Sequence, residues 1–159
     1  MRTNETMSHE RIMAKQRKMS RRYSDAKPSE VTDVAWIHAE NKSGEYPKPT
    51  ARSGKWLVFV NATQIDEVWQ RVKKALEEGR LGDSAKVATA KPHLRAANPN
   101  QKVICVYTYD SHDAEDVRRI REELRNLGMT AKMPYKEDKD TLNGKYVTTG
   151  HRGISKYYE

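Results

Sequence analysis

The chain has 159 residues, of which 36% are hydrophobic and 33% charged, and its 30 basic and 22 acidic side chains give a net charge of +8. This length fits one domain with loose ends, since domains commonly run to about 100–150 residues. The chain has no window apolar enough to cross a bilayer, no apolar signal region and only one cysteine, so we expect a soluble, cytoplasmic protein without disulfides. The positive charge favours polyanionic partners such as RNA, and solubility is the alternative explanation.

The first 28 residues are a basic segment. They carry eight Lys or Arg residues against three acidic residues, a net charge of +5. Their apolar residues are too few to bury a core, so we predict a basic, disordered arm. The remaining chain is predicted to form a single α+β domain over residues 29–150 and a C-terminal tail over residues 151–159.

Short apolar runs alternate with polar linkers in the first half of the domain. A helix is predicted from apolar residues at helical spacing, and Thr63 with Asp66 resembles the capping box that starts many helices. Gly, Pro and Ser mark a long loop. In chain order we predict a strand over 34–39, a loop over 41–54, a strand over 55–60, a helix from Thr63 to about Glu77, a strand over 85–90 and a polar connector over 91–101.

Residues 102–135 are the most clearly specified unit of the chain. The run 103–109 is β-branched and aromatic without Gly or Pro, which is typical of a central strand. Polar residues 110–113 favour a helix start, and apolar residues spaced by three and four indicate an amphipathic helix that ends at Gly128. Residues 129–135 then resume an extended pattern.

Two further features complete the predicted architecture. Asn143-Gly144 predicts a tight turn before a last short strand at Tyr146 and Val147. The strands over 85–90 and 103–109 are predicted to pair as antiparallel neighbours. The whole order predicts an α+β fold in which a sheet carries two amphipathic helices on one face. The opposite face is left free for a ligand.

Metal and cofactor sites have little support in the sequence. One cysteine and five histidines show no close paired spacing, and a Walker loop and a Rossmann fingerprint are both absent. We therefore predict no metal, no cofactor and no catalytic residue. Cys105 lies in the middle of a strand, where a small buried hydrophobic side chain is expected.

Basic residues recur at two places that the fold could bring to one end of the sheet. The first brackets the strand at 85–90 and its connector, and no acidic residue occurs from Ala85 to Tyr109. The second surrounds the last turn, where acidic residues offset the charge. Such side chains bind phosphates, and a pair of solvated loops is the alternative. The candidate phosphate or nucleic-acid residues are Lys86, Lys91, His93, Arg95, Lys102, Lys136 and Lys145.

The three tryptophans have two interpretations each. Trp36 and Trp56 lie in predicted strands, where exposed aromatic rings would stack on bases. Trp69 lies on the apolar stripe of the first helix. Tryptophan in a strand or on such a stripe more often belongs to the core. Trp36 and Trp56 are therefore kept as stacking candidates, and Trp69 is expected in the core unless it docks a partner.

Several segments together resemble a known family. KWLVFV, QIDEVWQRVKKALEEG, AKVATA, VICVYTYDSHDAEDVRRIREELRNLG and YKEDKDTLNGKY are similar to the basophilic leukemia-expressed (Bles-type) proteins, over about residues 34–147 and without the basic arm. That family shares the fold of the 4E-type cap-binding translation initiation factors. The resemblance implies a curved antiparallel sheet with helices on its convex back and a ligand groove on its concave front.

The resemblance also implies roles for some residues. Trp69 matches the helix tryptophan that takes the recognition helix of the initiation scaffold. Lys91 or Arg95, and then Lys102, match the basic pair that contacts the cap phosphates. The segment with one cap-sandwiching Trp and its neighbouring Glu has no counterpart between Gly82 and Ala85, and Trp56 matches a framework position.

The leading hypothesis is a non-enzymatic binding module for RNA or a phosphate-bearing nucleotide, which uses the concave face, the basic connector and the arm. One alternative is a lyase- or hydrolase-like enzyme for a phosphorylated substrate, with a lysine and His93 as base and acid. The other alternative is a protein-interaction domain that uses Trp69 and the helical face.

Overall fold

The computed structural model of the chain describes Arg11 and residues 23–92, 98–138 and 156–159. The described elements begin with a 3-10 turn at Pro28–Glu30. The six strands are β1 (Trp36–Glu40), β2 (Gly54–Asn61), β3 (Ser84–Ala88), β4 (Gln101–Thr108), β5 (Pro134–Glu137) and β6 (Tyr157–Tyr158), and the two helices are α1 (Ile65–Glu77) and α2 (Ala114–Asn126).

The strands form one curved antiparallel sheet in the order β1-β3-β4-β2-β5-β6. Its centre is the pairing of β2 with β4, which runs over eight residue pairs from Gly54 opposite Thr108 to Asn61 opposite Gln101. β3 pairs with β4 in antiparallel register, as the sequence predicted, with Ala85 opposite Val106. The α+β fold class is therefore confirmed.

Both described helices pack on the same face of the sheet, which we call the back face. Trp56 is fully buried there, and its indole Nε1 donates to the Val117 carbonyl of α2 at 3.0 Å. Because strand side chains alternate between faces, the register divides the sheet residues cleanly. The back-face strand residues in the core are Ile37, Ala39, Ala85, Val87, Trp56, Val58, Val60, Ile104, Val106 and Tyr135.

The two helices start differently. α2 begins as predicted, since the Asp113 carboxylate accepts from the Asp116 N–H at 3.1 Å, and Gly128 follows its end with a φ of +99°. The capping box predicted for α1 is wrong. Asp66 instead accepts from the backbone N–H of Ser29 at 2.9 Å and from the Ser29 hydroxyl, so it ties the 3-10 turn to the helix.

The last four residues of the predicted tail, 156–159, pack on the domain. Tyr157–Tyr158 pairs with β5 as the sixth strand. The fully buried Arg121 of α2 holds this chain end, because its guanidinium donates to the carbonyls of Glu159 at 2.8 Å, Met129 at 2.9 Å and Ala131 at 2.9 Å. No local feature of the sequence predicts this arrangement, since Arg121 stands in a charged run.

The last residues of the predicted arm also join the domain. Tyr23 and Ala26 pack against the core, and Pro28 is buried. Except for Arg11, residues 1–22 lie outside the described part of the chain, as do the turn predicted at Asn143-Gly144 and the strand predicted at Tyr146. Neither described helix is long and apolar enough to cross a bilayer.

Candidate functional site

The front face is the side of the sheet opposite α1 and α2, and three of the described lysines lie on it. They come from three strands: Lys55 from β2, Lys86 from β3 and Lys136 from β5. Lys55 and Lys136 stand opposite each other in register, and Lys86 stands opposite Cys105 of β4, the strand beside β2. Neighbouring strands are about 4.8 Å apart, so these three side chains lie within the reach of one phosphate-bearing ligand. We call them the lysine cluster.

Cys105, Leu57 and Tyr107 form the floor between the lysines. Cys105 and Leu57 are buried although they face away from the helices, which indicates a concave surface. Burial raises the pKa of the Cys105 thiol and also the pKa of the Tyr107 phenol. Both groups are therefore protonated at neutral pH, and they offer hydrogen-bond donors rather than nucleophiles.

The lysine cluster is only partly neutralised. Lys55 Nζ forms a 3.0 Å ion pair with Asp138, and Asp138 also accepts from the Ser53 hydroxyl at 2.7 Å. Lys86 and Lys136 form no ion pair with any residue that the structure describes. Burial lowers the pKa of Lys86, and burial followed by the charge of Lys55 lowers the pKa of Lys136. A bound anion would relieve this unfavourable state.

Aromatic side chains flank the lysine cluster at one end of the front face. Trp36 of β1 is half-buried, and Lys86 Nζ lies 4.2 Å from the centre of its ring. Phe59 of β2 is 51% exposed. In register, Trp36 is opposite Ala88 and Phe59 is opposite Val103, so both aromatics belong to the front face. A base could contact either ring.

His38 of β1 stands directly opposite Lys86. Burial lowers the pKa of its imidazole, and the charge of Lys86 lowers it further. The imidazole is therefore neutral at physiological pH and leaves the charge of the lysine cluster unchanged.

Two of the three tryptophans lie in the core. Trp56 was predicted as a stacking candidate, and that prediction is wrong because its ring is fully buried under α2. Trp69 is fully buried too, and its indole N–H has no hydrogen-bond partner among the described residues. A partner would have to displace the core to reach Trp69, so the core interpretation fits this residue.

The predicted phosphate residues divide between the two faces. Lys86 and Lys136 are on the front face, whereas Lys102 is opposite the core residue Val60 and so points to the back. There Lys102 lines a cavity of about 410 Å³. Lys91 follows β3, and its backbone N–H donates to the Thr89 hydroxyl at 3.2 Å. His93, Arg95 and Lys145 lie outside the described residues.

Sequence reasoning missed Lys55, Tyr107 and Phe59 as front-face residues. A signal for two of them was present in β2. Strand side chains alternate between faces, so a core position for Trp56 puts Lys55 and Phe59 on the opposite face. The facing of Tyr107 depends on the register of β4 against β2, which is a long-range property.

The fold is similar to that of solved cap-binding proteins. A schistosome eIF4E in complex with m7GpppG and 4E-BP superposes with a TM-score of 0.60 at 20% identity, over 91% of this chain and 80% of that chain. Caenorhabditis elegans eIF4E-3, in complex with the 4E-binding protein Mextli and a cap analog, gives 0.56 at 18% identity over 80% and 76%. Ascaris suum eIF4E-3 with an m2,2,7G cap gives 0.51 at 17% identity over 76% and 72%. At these identities the likeness shows the fold.

A family model also matches this sequence, and it covers residues 3–140. Its description is basophilic leukemia-expressed protein Bles03. The match begins near the N-terminus, which corrects the expectation that the basic arm lies outside the resemblance. The matched range contains Lys55, Lys86 and Lys136. The chain therefore belongs to the Bles03 family.

Proposed function

We propose that the protein is a binding module for RNA or a nucleotide, with phosphates held by the lysine cluster. The observation that carries this proposal is the convergence of Lys55, Lys86 and Lys136, from three strands, on the helix-free face. Asp138 is the one acidic residue paired with them among the described residues. A ligand phosphate would accept charge-assisted hydrogen bonds from ammonium groups that are already partly desolvated.

The flanking rings support a nucleic-acid ligand over a simple anion. A base could lie against Phe59, and Trp36 already contacts the Lys86 ammonium. Base–aromatic stacking contributes about 1–3 kcal/mol per base and tolerates any sequence. Structures with this fold from a schistosome and from nematodes contain cap nucleotides, which supports a nucleotide as the ligand class.

Binding is favoured over catalysis by the chemistry of the floor. The two front-face groups that would serve as nucleophiles, Cys105 and Tyr107, both have a raised pKa through burial. The enzyme alternative relied on His93, which lies outside the described residues. Among the described residues, no hydrogen bond joins the Cys105 thiol or the Tyr107 hydroxyl to a basic side chain.

The test compares two variants that lose the same charge. In one, Lys55, Lys86 and Lys136 are replaced by Gln, and in the other, Lys74, Arg118 and Arg125 of the helices are replaced by Gln. Fluorescence anisotropy with a labelled 10-nucleotide RNA at low salt should show at least a tenfold loss for the first variant and at most a twofold loss for the second. Competition with GTP and with inorganic phosphate separates nucleotide recognition from anion binding. Equal losses in both variants would contradict the proposal.

A protein-binding role is the second candidate, and it is favoured by a groove rather than by Trp69. This groove has a volume of about 490 Å³ and lies between the end of β2, the start of α1 and the segment after α2. Phe59, Val68, Met129 and Met133 contribute apolar surface to it. In the schistosome and C. elegans structures, a protein with this fold is in complex with a 4E-binding protein. Val68→Ser with Met129→Ser should then abolish capture of a partner and leave RNA binding within about threefold.

A further inference from the structure

A second cavity lies on the back of the sheet, at the end where β3 is connected to β4. Its volume is about 410 Å³, within the range of roughly 300–1,000 Å³ that small-molecule sites occupy. Its walls come from the 3-10 turn, the start of α1, the ends of β3 and β4, and the prolines that flank the connector. Its lining includes Ser29, Ala62, Ile65, Thr89, Pro99 and Lys102.

The walls of this cavity are held by hydrogen bonds. Ala90 N–H donates to the Pro28 carbonyl at 3.1 Å, and Ala62 N–H donates to the Asn100 carbonyl at 2.7 Å. Ser29 is bound through its backbone N–H and its hydroxyl to Asp66. The cavity is therefore formed before any ligand arrives, which limits the ordering cost of binding.

Most polar groups of the wall already have protein partners. The Thr89 hydroxyl donates to the Val34 carbonyl, and the Ser29 hydroxyl is used by Asp66. The other side chains named in the lining are apolar, apart from Lys102. Among the described residues, the cavity thus offers an apolar surface and one ammonium group.

Lys102 is half-buried at this cavity and forms no ion pair with a described residue. The residues that surround it in the sequence cannot neutralise it either, because the chain has no acidic residue from Ala85 to Tyr109. A partly desolvated cation without a counter-charge attracts an anion. The Asp66 carboxylate behind Ser29 would repel a second negative charge.

We propose that this cavity binds a small organic anion that joins one carboxylate, or a similar singly charged group, to a compact apolar body such as a ring system. The charged group would pair with Lys102, and the apolar body would lie against Ala62, Ile65 and Pro99. This site is separate from the lysine cluster, since Lys102 is on the opposite face of the sheet from Lys55, Lys86 and Lys136. It does not depend on the function proposed above.

The probe for this site is 2-naphthoate, and 2-naphthylmethanol is its neutral counterpart. Titration of the full chain, followed by amide chemical shifts, should move the resonances of Ala62, Ile65, Ala90 and Lys102 in a saturable manner. Naphthoate should bind at least fivefold more tightly than the alcohol. Shifts that map only to the front face, or titrations that do not saturate, would overturn the proposal.

Variants distinguish the contribution of the Lys102 charge to binding from that of the cavity shape. Lys102→Met should remove the preference for naphthoate, Lys102→Arg should retain it, and Ala62→Leu should weaken both probes by filling the cavity. Lys74→Met, an exposed change on α1, is the matched control and should alter neither probe. Lys102→Met should also leave RNA affinity within about threefold. If RNA binding falls as much as naphthoate binding does, Lys102 belongs to a nucleic-acid site and the proposal is wrong.

Discussion

The ammonium group of Lys86 lies 4.2 Å from the centre of the Trp36 ring, so a charge proposed to bind phosphate rests on an aromatic side chain of the same face. Cation–π pairs of this kind contribute about 0.5–2 kcal/mol, depending on how far the cation is desolvated. The contact holds the Lys86 side chain against the sheet, and one face of the Trp36 indole is covered by the lysine. A ligand that binds Lys86 must therefore change the surroundings of Trp36.

This relationship predicts a fluorescence signal. Trp56 and Trp69 are fully buried, whereas Trp36 is half-buried on the front face. Saturating RNA should therefore quench part of the tryptophan emission, and Trp36→Phe should remove the change while RNA binding persists. Trp69→Phe is the control and should leave the quenching in place. Quenching that survives Trp36→Phe would place the ligand elsewhere.

The salt dependence of binding measures how many cations contact phosphates. For single-stranded RNA, each lost contact lowers the slope of log K against log salt by about 0.7. Replacement of the three clustered lysines by Gln should therefore reduce the slope by about 2. The measurement is a series of anisotropy titrations between low and moderate salt, with the helix-face triple variant as the reference.

The basic arm calls for the same measurement with a corrected boundary. Deletion of residues 1–28 would remove the buried Pro28 and the packed side chains of Tyr23 and Ala26. Deletion of residues 1–22 spares them and still removes seven basic residues. If the arm contacts phosphates, this shorter deletion should flatten the salt slope and leave the melting temperature nearly unchanged. An unchanged slope would exclude the arm from the site.

Trp69 gives a test of core against docking surface. Its ring is fully buried, so Trp69→Ala should lower the free energy of unfolding by about 3–5 kcal/mol. Its indole N–H has no partner among the described residues, so Trp69→Phe should cost much less than the alanine change, because no hydrogen bond is lost. Urea denaturation measures both changes. If Trp69→Ala leaves the protein within about 1 kcal/mol of wild type and abolishes partner capture, the core assignment is wrong.

Most of the structure that could be predicted from the sequence depends on local features. The β4–α2 unit was predictable because an apolar run, the cap at Asp113 and Gly128 all agree on one local structure. The front-face position of Lys55 was also within reach, since alternation along β2 links it to the buried Trp56. Each of these inferences depends on residues that are close to one another in the sequence.

The features that the sequence did not predict depend on strand register and on long-range contacts. Lys86 and Lys102 belong to adjacent strands in a run without acidic residues, from Ala85 to Tyr109. Pairing nevertheless puts Lys86 opposite Cys105 and Lys102 opposite Val60, on different faces. A shift of one residue in register would exchange the faces, and nothing local fixes it. The burial of Arg121 likewise depends on a carbonyl 38 residues away, at Glu159.

The lysine cluster should make the protein's stability depend on pH in the alkaline range. Burial lowers the pKa of Lys86 and of Lys136, so between their folded and unfolded pKa values the unfolded chain binds more protons than the folded chain. Stability from these two groups therefore rises with pH through that window and is lower at neutral pH, where both are charged. Lys86→Met with Lys136→Met should raise the neutral-pH melting temperature and flatten its rise as the pH approaches the usual lysine pKa of about 10.4 from below. Thermal melts of both proteins measure the difference, and both carry Cys105→Ser because the charges of Lys86 and Lys136 lower the pKa of that thiol. The prediction would be contradicted by a double variant that melts at a lower temperature than wild type at neutral pH and has the same alkaline profile. That result would show that the two lysines stabilise the fold.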